Sequence, residues 1–242
     1  YVHVPDGLPN ETQMTGFTLE GWIRTFSLEG QQGLITQHDF PERCGIGLVI
    51  NEGRIAFITG TGKKHDSASL HQTEPGLIRV QTWHHIVASW DGKTKRIYVD
   101  GKLVAEYPFA GVVRPGLSAL RLGASGSEGI ASNFYNGDLA MCAIYDKPLN
   151  EEQIQQRFAD QGLKTPSDDS VIACWPFTEE RGTQVADASS GGRHGQIINR
   201  GTWMIGGPSL DASAIDRHDT SYDPTLDPKR GHGLRLASDE LY

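Results

Sequence analysis

The sequence predicts an all-β protein: a two-sheet antiparallel sandwich of the jelly-roll type with one short peripheral helix. Three observations lead there. Short apolar runs with a period of two recur from Phe17 to Tyr145. Asp-Gly dipeptides, which supply the positive-φ residues of tight hairpins, punctuate these runs. Helical grammar is complete at only one place, just after Pro148. The chain carries 29 glycines and 12 prolines in 242 residues, above the usual combined share of about 12%. That excess is spent on turns, because no Gly-X-Y period exists and apolar residues still make up 37%. Collagen and disorder are both excluded.

Taken in order, Phe17, Leu19, Gly21 and Ile23 alternate with Thr18, Glu20, Trp22 and Arg24. An aliphatic face is thereby set against a Glu/Trp/Arg face. Runs at 33–37, 45–50 and 54–59 are further short strands, the last two joined through Asn51-Glu52-Gly53. Trp83 to Trp90 leads through Asp91-Gly92 to 95–99, and Asp100-Gly101 turns the chain into 102–107. Residues 120–122 and 139–145 add two more strands. The helix begins at Asn150, an N-cap with Gln153 placed to close a capping box and Glu151 and Glu152 in the first turn. Ile154 and Phe158 share one face, and Gly162 ends it. After a polar linker at 164–170, strands are expected at 171–177 and 195–199. Residues 206–233 have few apolar anchors, five aspartates and three prolines. A stretch of this kind is either mobile or an arm that packs on something outside it.

Lys and Arg total 22 against 30 Asp and Glu, a net charge of −8. This acidity argues against nucleic-acid binding and against attachment to anionic membranes. No apolar run reaches the roughly 18 residues of a membrane span. The three cysteines, Cys44, Cys142 and Cys174, lack any CxxC spacing. They read as small buried thiols in a reducing, cytoplasmic setting. Because the chain opens on Tyr1 and stops after a charged segment, it reads as a piece of a longer protein.

The order Phe17-Thr-Leu-Glu-Gly-Trp22, Trp83-His-His85, Ile97-Tyr-Val-Asp-Gly101 and Phe134-Tyr-Asn-Gly-Asp138 resembles a laminin-G-like domain of the concanavalin A-like superfamily. The resemblance implies a jelly roll with a concave face often used for carbohydrate or protein ligands. The stretch from Cys174 to Asn199 is similar to the opening of such a domain, yet it comes late. It is either a second, truncated repeat or part of a permuted jelly roll. The second is preferred, because the late piece is too short to build a core. The domain is therefore taken as 1–205, with 206–242 an extended arm leading toward a further domain.

This order, followed by the sequence around Leu234, resembles the large subunit of N,N-dimethylformamidase-type amidohydrolases. That likeness implies an amide-hydrolysing parent whose iron centre lies in a separate catalytic domain, so no catalytic residue carries over here. It also implies partners: that catalytic domain, and a small subunit or a second copy.

Candidate site residues are few. Glu20, Trp22 and Arg24 share one face, an aromatic beside polar groups as in a sugar platform. The bland alternative is Trp22 packed under a loop or a neighbouring domain. Glycosidase chemistry needs paired carboxylates, and Glu20 stands alone on its strand. His84 and His85 are adjacent, so they point to opposite faces and cannot easily chelate one ion. His85 is expected beside Trp83, near the sheet interior. The resemblance implies a structural calcium near the Gly137 turn, where Ala140 stands at the family's acidic position and Asp138 is the substitute ligand.

Overall fold

A computed structural model describes residues 1–39, 44–61, 69–127, 129–209 and 231–236. In chain order the strands begin with β1 (Val2–Val4), β2 (Phe17–Thr25), β3 (Gln31–Asp39), β4 (Cys44–Asn51), β5 (Arg54–Thr59) and β6 (Ser69–Gln72). They continue with β7 (Trp83–Trp90), β8 (Thr94–Val99), β9 (Lys102–Pro108), β10 (Leu120–Leu122), β11 (Ser125–Ser127) and β12 (Ile130–Ser132). After β13 (Gly137–Tyr145) comes the helix α1 (Glu151–Ala159). The remaining strands are β14 (Val171–Trp175), β15 (Gln184–Val185), β16 (Gly195–Ile197), β17 (Thr202–Ile205) and β18 (His232–Leu236).

Two large antiparallel sheets result. The first runs β15-β16-β1-β10-β3-β4-β5-β6, and the second β17-β18-β13-β2-β7-β8-β9. Strand β13 is long enough to take β18 along its first half and β14 along its second. The late strands thus enter both sheets, β14 beside β13 and β16 beside β1. Between the sheets lies the main core, with Phe17, Leu19 and Ile23 of β2 facing Ile46, Leu48 and Phe57 of the other sheet. This is the aliphatic face that the β2 alternation defines.

The turns behave as their residues require. Asp100 and Gly101 both take positive φ, 52° and 74°, as do Glu52 and Gly53 at 48° and 72°. Two consecutive left-handed residues are what a two-residue hairpin needs to match strand twist. Helix α1 carries the capping box at Asn150 and Gln153. Gly33 has a different role, because a Cβ there would lie 2.2 Å from the carbonyl carbon of Ala124. Gly33→Ala is expected to lower stability by about 2–3 kcal/mol through this backbone clash, read as a shift in the urea midpoint at unchanged slope.

The strands differ from expectation at several ends. The 171–177 run stops at Trp175, since Phe177 turns left-handed at φ 59°. The 195–199 run stops at Ile197, with Asn199 at φ 69°. Residues 232–236, assigned by sequence to the arm, instead form β18, which lies between β17 and β13. Leu234 and Leu236 are buried in the main core, a pattern too short to announce itself as a strand. The rest of the arm, 210–230 with its five aspartates, lies outside the described residues.

Candidate functional site

The polar face of β2 forms cross-strand rows with its neighbours. Arg24 pairs in register with Trp83 and Asp138, Trp22 with His85 and Ala140, and Glu20 with Val87 and Ala143. A β-bulge in β13 between Ala140 and Ala143, with Met141 at φ 43°, interrupts these rows beside Glu20. Above them lies α1. Ile154 is buried in the second hydrophobic cluster with Trp22 and Tyr145, and the Phe158 ring stacks on Trp22 at 5.7 Å.

Glu20 is completely buried and spends both carboxylate oxygens internally. His85 Nε2–H donates to Oε1 at 3.0 Å, Arg157 Nε reaches Oε1 at 3.1 Å, and the Tyr145 hydroxyl donates to Oε2. Burial acts to raise the carboxyl, but the His85 hydrogen bond, the Arg157 charge and the Tyr145 hydroxyl outweigh it and hold the group at about 2. Burial beside Glu20 pushes the Tyr145 phenol far above its ordinary range. Glu20 is therefore held as a carboxylate and Tyr145 as a phenol, bonded to the Arg157 guanidinium and the His85 ring in a structural arrangement.

Trp22 is 3% exposed. It and Glu20 lie beneath α1, so neither offers a surface on which a sugar ring could stack. This corrects the open-platform expectation. The helix is not confined to the domain edge, because its apolar face and Arg157 pack on the polar face of β2. Arg24 stacks over Trp83 at 5.1 Å and bonds Asp138 Oδ2 through Nε at 2.8 Å. Arg235 of β18 holds Oδ1 at 2.9 Å. Asp138 thus sits fully buried between two guanidinium groups, and a calcium ion there would have to displace two cations. The donor set does not fit the metal. Among the described residues no group of three or more His, Cys, Asp or Glu side chains is placed to hold a metal ion.

His84 and His85 do point to opposite faces. His84 Nδ1–H donates to Asp100 Oδ2 at 2.8 Å, while its Nε2 accepts the Arg79 N–H. His85 lies against Trp22, with ring centroids 5.0 Å apart, so its partner is the tryptophan on the neighbouring strand. Sequence reasoning missed Arg157, Tyr145 and Arg235. Arg157 alone left a signal, being three residues after Ile154 on the same helix face. Cys142 and Cys174 are free, buried thiols, and burial pushes Cys174 up to about 12. At the edge of the first sheet, a groove of about 670 Å³ is lined by Glu179, Arg181, Thr183 and Gln184. No helix is long and apolar enough to cross a membrane among the described residues.

This architecture, two large antiparallel sheets with a helix roofing one outer face, defines a laminin-G-like β-sandwich domain. Residues 1–155 match the family model described as the concanavalin A-like lectin/glucanases superfamily, and the chain belongs to that superfamily. Among individual proteins it is similar to the N,N-dimethylformamidase beta subunit of Paracoccus aminophilus, 25% identical over 233 residues. That match takes in 83% of this chain but only 30% of the relative. A solved structure described as a putative carbohydrate binding protein from Bacteroides ovatus superposes with a TM-score of 0.63 at 14% identity, covering 81% of this chain and 55% of the other. At that identity the likeness concerns the fold alone.

Proposed function

We propose that the chain is a non-catalytic scaffold domain of a dimethylformamidase-like amidohydrolase large subunit. The observation that carries this reading is the burial of the polar face of β2. Glu20 accepts from His85, Tyr145 and Arg157 beneath α1, which leaves no reactive carboxylate and no open aromatic platform on that face. The similarity to a dimethylformamidase beta subunit over 83% of the chain supports such a parent. The relative is itself named as a subunit, which favours packing against other protein, either the catalytic domain of the same chain, a small subunit or a second copy. Iron chemistry belongs to the catalytic domain in this reading, and the compartment is the cytoplasm.

The purified chain is expected to form a stoichiometric complex with the amidohydrolase domain of its parent, seen by size-exclusion chromatography with light scattering. It is also expected to retain no glycan on an array. Glycan retention without complex formation would replace the scaffold by a carbohydrate-binding module. In that case the groove beside β15 would be the first place to look, because Trp22 is covered.

A further inference from the structure

Strand β17 is the outermost strand of the second sheet, and among the described residues it pairs with β18 alone. Trp203 packs against the main core, so Met204 beside it takes the outer face. Its side chain lies across β18 over Gly233, where a Cβ would come 3.0 Å from the Met204 methyl carbon. Glycine is what leaves the room. The sulfur is thereby brought 3.2 Å from Nη2 of Arg24 and 3.7 Å from Nη2 of Arg235. These are the two guanidinium groups that hold Asp138. Of the three methionines in the chain, Met14 and Met141 are buried, at 6% and 3% exposure, whereas Met204 is half-buried.

A thioether is a weak acceptor, so it gives the two guanidinium groups little in return. The oxidised side chain suits the same surroundings better. A sulfoxide is polar, and in an apolar core it disrupts packing. Here its oxygen meets two cations, whose hydrogen bonds are about twice as strong as neutral ones. Arg235 Nη2, 3.7 Å from the sulfur, leaves space for an oxygen on that sulfur within hydrogen-bond range. The Arg24 and Arg235 side chains are 22% and 44% exposed, so a small oxidant reaches the cradle from solvent.

We propose that Met204 is an oxidation site for hydrogen peroxide, with the resulting sulfoxide held by Arg24 and Arg235 so that it fastens β17 to the sheet. A sulfur lone pair attacks one peroxide oxygen, and the S–O bond forms as the O–O bond breaks. The proton on the attacked oxygen passes through solvent to the departing hydroxide, which leaves as water. Sulfur loses two electrons and the peroxide gains them. The new oxygen accepts from guanidinium groups of β2 and β18, and these bonds replace the weaker contacts of the thioether.

Peroxide treatment of the intact chain, followed by peptide mass spectrometry, reads the three methionines separately. Met204 is expected to be oxidised about tenfold faster than Met14 and Met141. Hydrogen exchange is expected to show β17 amides about fivefold better protected in the oxidised chain, with β5 amides unchanged. Met204→Gln, which offers an amide oxygen to the same guanidinium groups, should raise β17 protection without peroxide. Met204→Leu should abolish the response to peroxide, which separates Met204 from oxidation at other side chains. Equal oxidation of the three methionines, unchanged or lower β17 protection after oxidation, or a response that survives in Met204→Leu would each overturn the proposal.

Discussion

Glu20→Ala is expected to be among the most damaging single substitutions in this domain, costing about 3–5 kcal/mol. Its removal takes from the Arg157 guanidinium, 11% exposed, its buried carboxylate partner, leaving only Asp160 at 3.8 Å and the Lys164 carbonyl, and strips His85 and Tyr145 of their acceptor; breaking a buried pair by removing one partner carries a penalty of that size. Glu20→Gln keeps the shape and one acceptor for Tyr145 but removes the charge, so a smaller loss is expected. Acid exposes the same cluster. The folded carboxyl is lowered from 4.5 to about 2, so its contribution is present above about pH 4.5 and disappears as pH falls through about 2. That difference amounts to about 3 kcal/mol. Urea melts of the parent and Glu20→Gln at pH 7, 4 and 2.5 check the point. The gap between them should narrow toward acid, and a constant gap would remove Glu20 as the ionised centre of the cluster.

Lys95→Met is expected to act in the opposite direction and stabilise the fold at neutral pH by about 2–4 kcal/mol. The unfolded chain binds a proton on this lysine up to about 10.5, and the folded chain only below about 7. Unfolding therefore takes up a proton throughout that window, and the stability of the unsubstituted protein rises from pH 7 to 10. Methionine has a similar length and no charge to desolvate, but it leaves the Ser69 carbonyl without the donor it has at 2.8 Å, a cost of about 1 kcal/mol. The advantage of Lys95→Met should accordingly vanish near pH 10 and reverse slightly above it. Thermal melts of both proteins at pH 7 and 10 give the comparison, and a lower Tm for Lys95→Met at pH 7 would contradict it.

These two residues also mark what local pattern can convey. Lys95 lies in a run, Lys95 to Val99, whose alternation with Ile97 and Val99 puts it on the core face. Charge alone suggests the surface, and only the arrival of Phe57 and Phe109 from elsewhere in the chain explains how a lysine is housed there. Glu20, Trp22 and Arg24 are correctly placed on one face by their period of two. What covers that face is decided by a helix more than 130 residues later, through the Arg157–Glu20 contact at a separation of 137 residues. Asp138 stands at a turn that suggests a cation ligand, and it does meet cations, namely Arg24 of β2 and Arg235 of β18. A carboxylate satisfied by arginine and one satisfied by metal look alike in sequence, because both are a lone acid near a glycine.

The sequence by itself determined the β architecture, its hairpins and the capped helix α1. These depend on periodicity and on residues with special backbone conformations, which are local properties. Tertiary structure alone decided that α1 roofs the Glu/Trp/Arg face, that His232–Leu236 returns to pair with β13, and that Lys95 is buried with Nζ on the Ser69 carbonyl. Each of these unites side chains far apart in the chain. Their energies come from desolvation and mutual compensation of buried polar groups, and neither exists until the two sheets and the helix have come together.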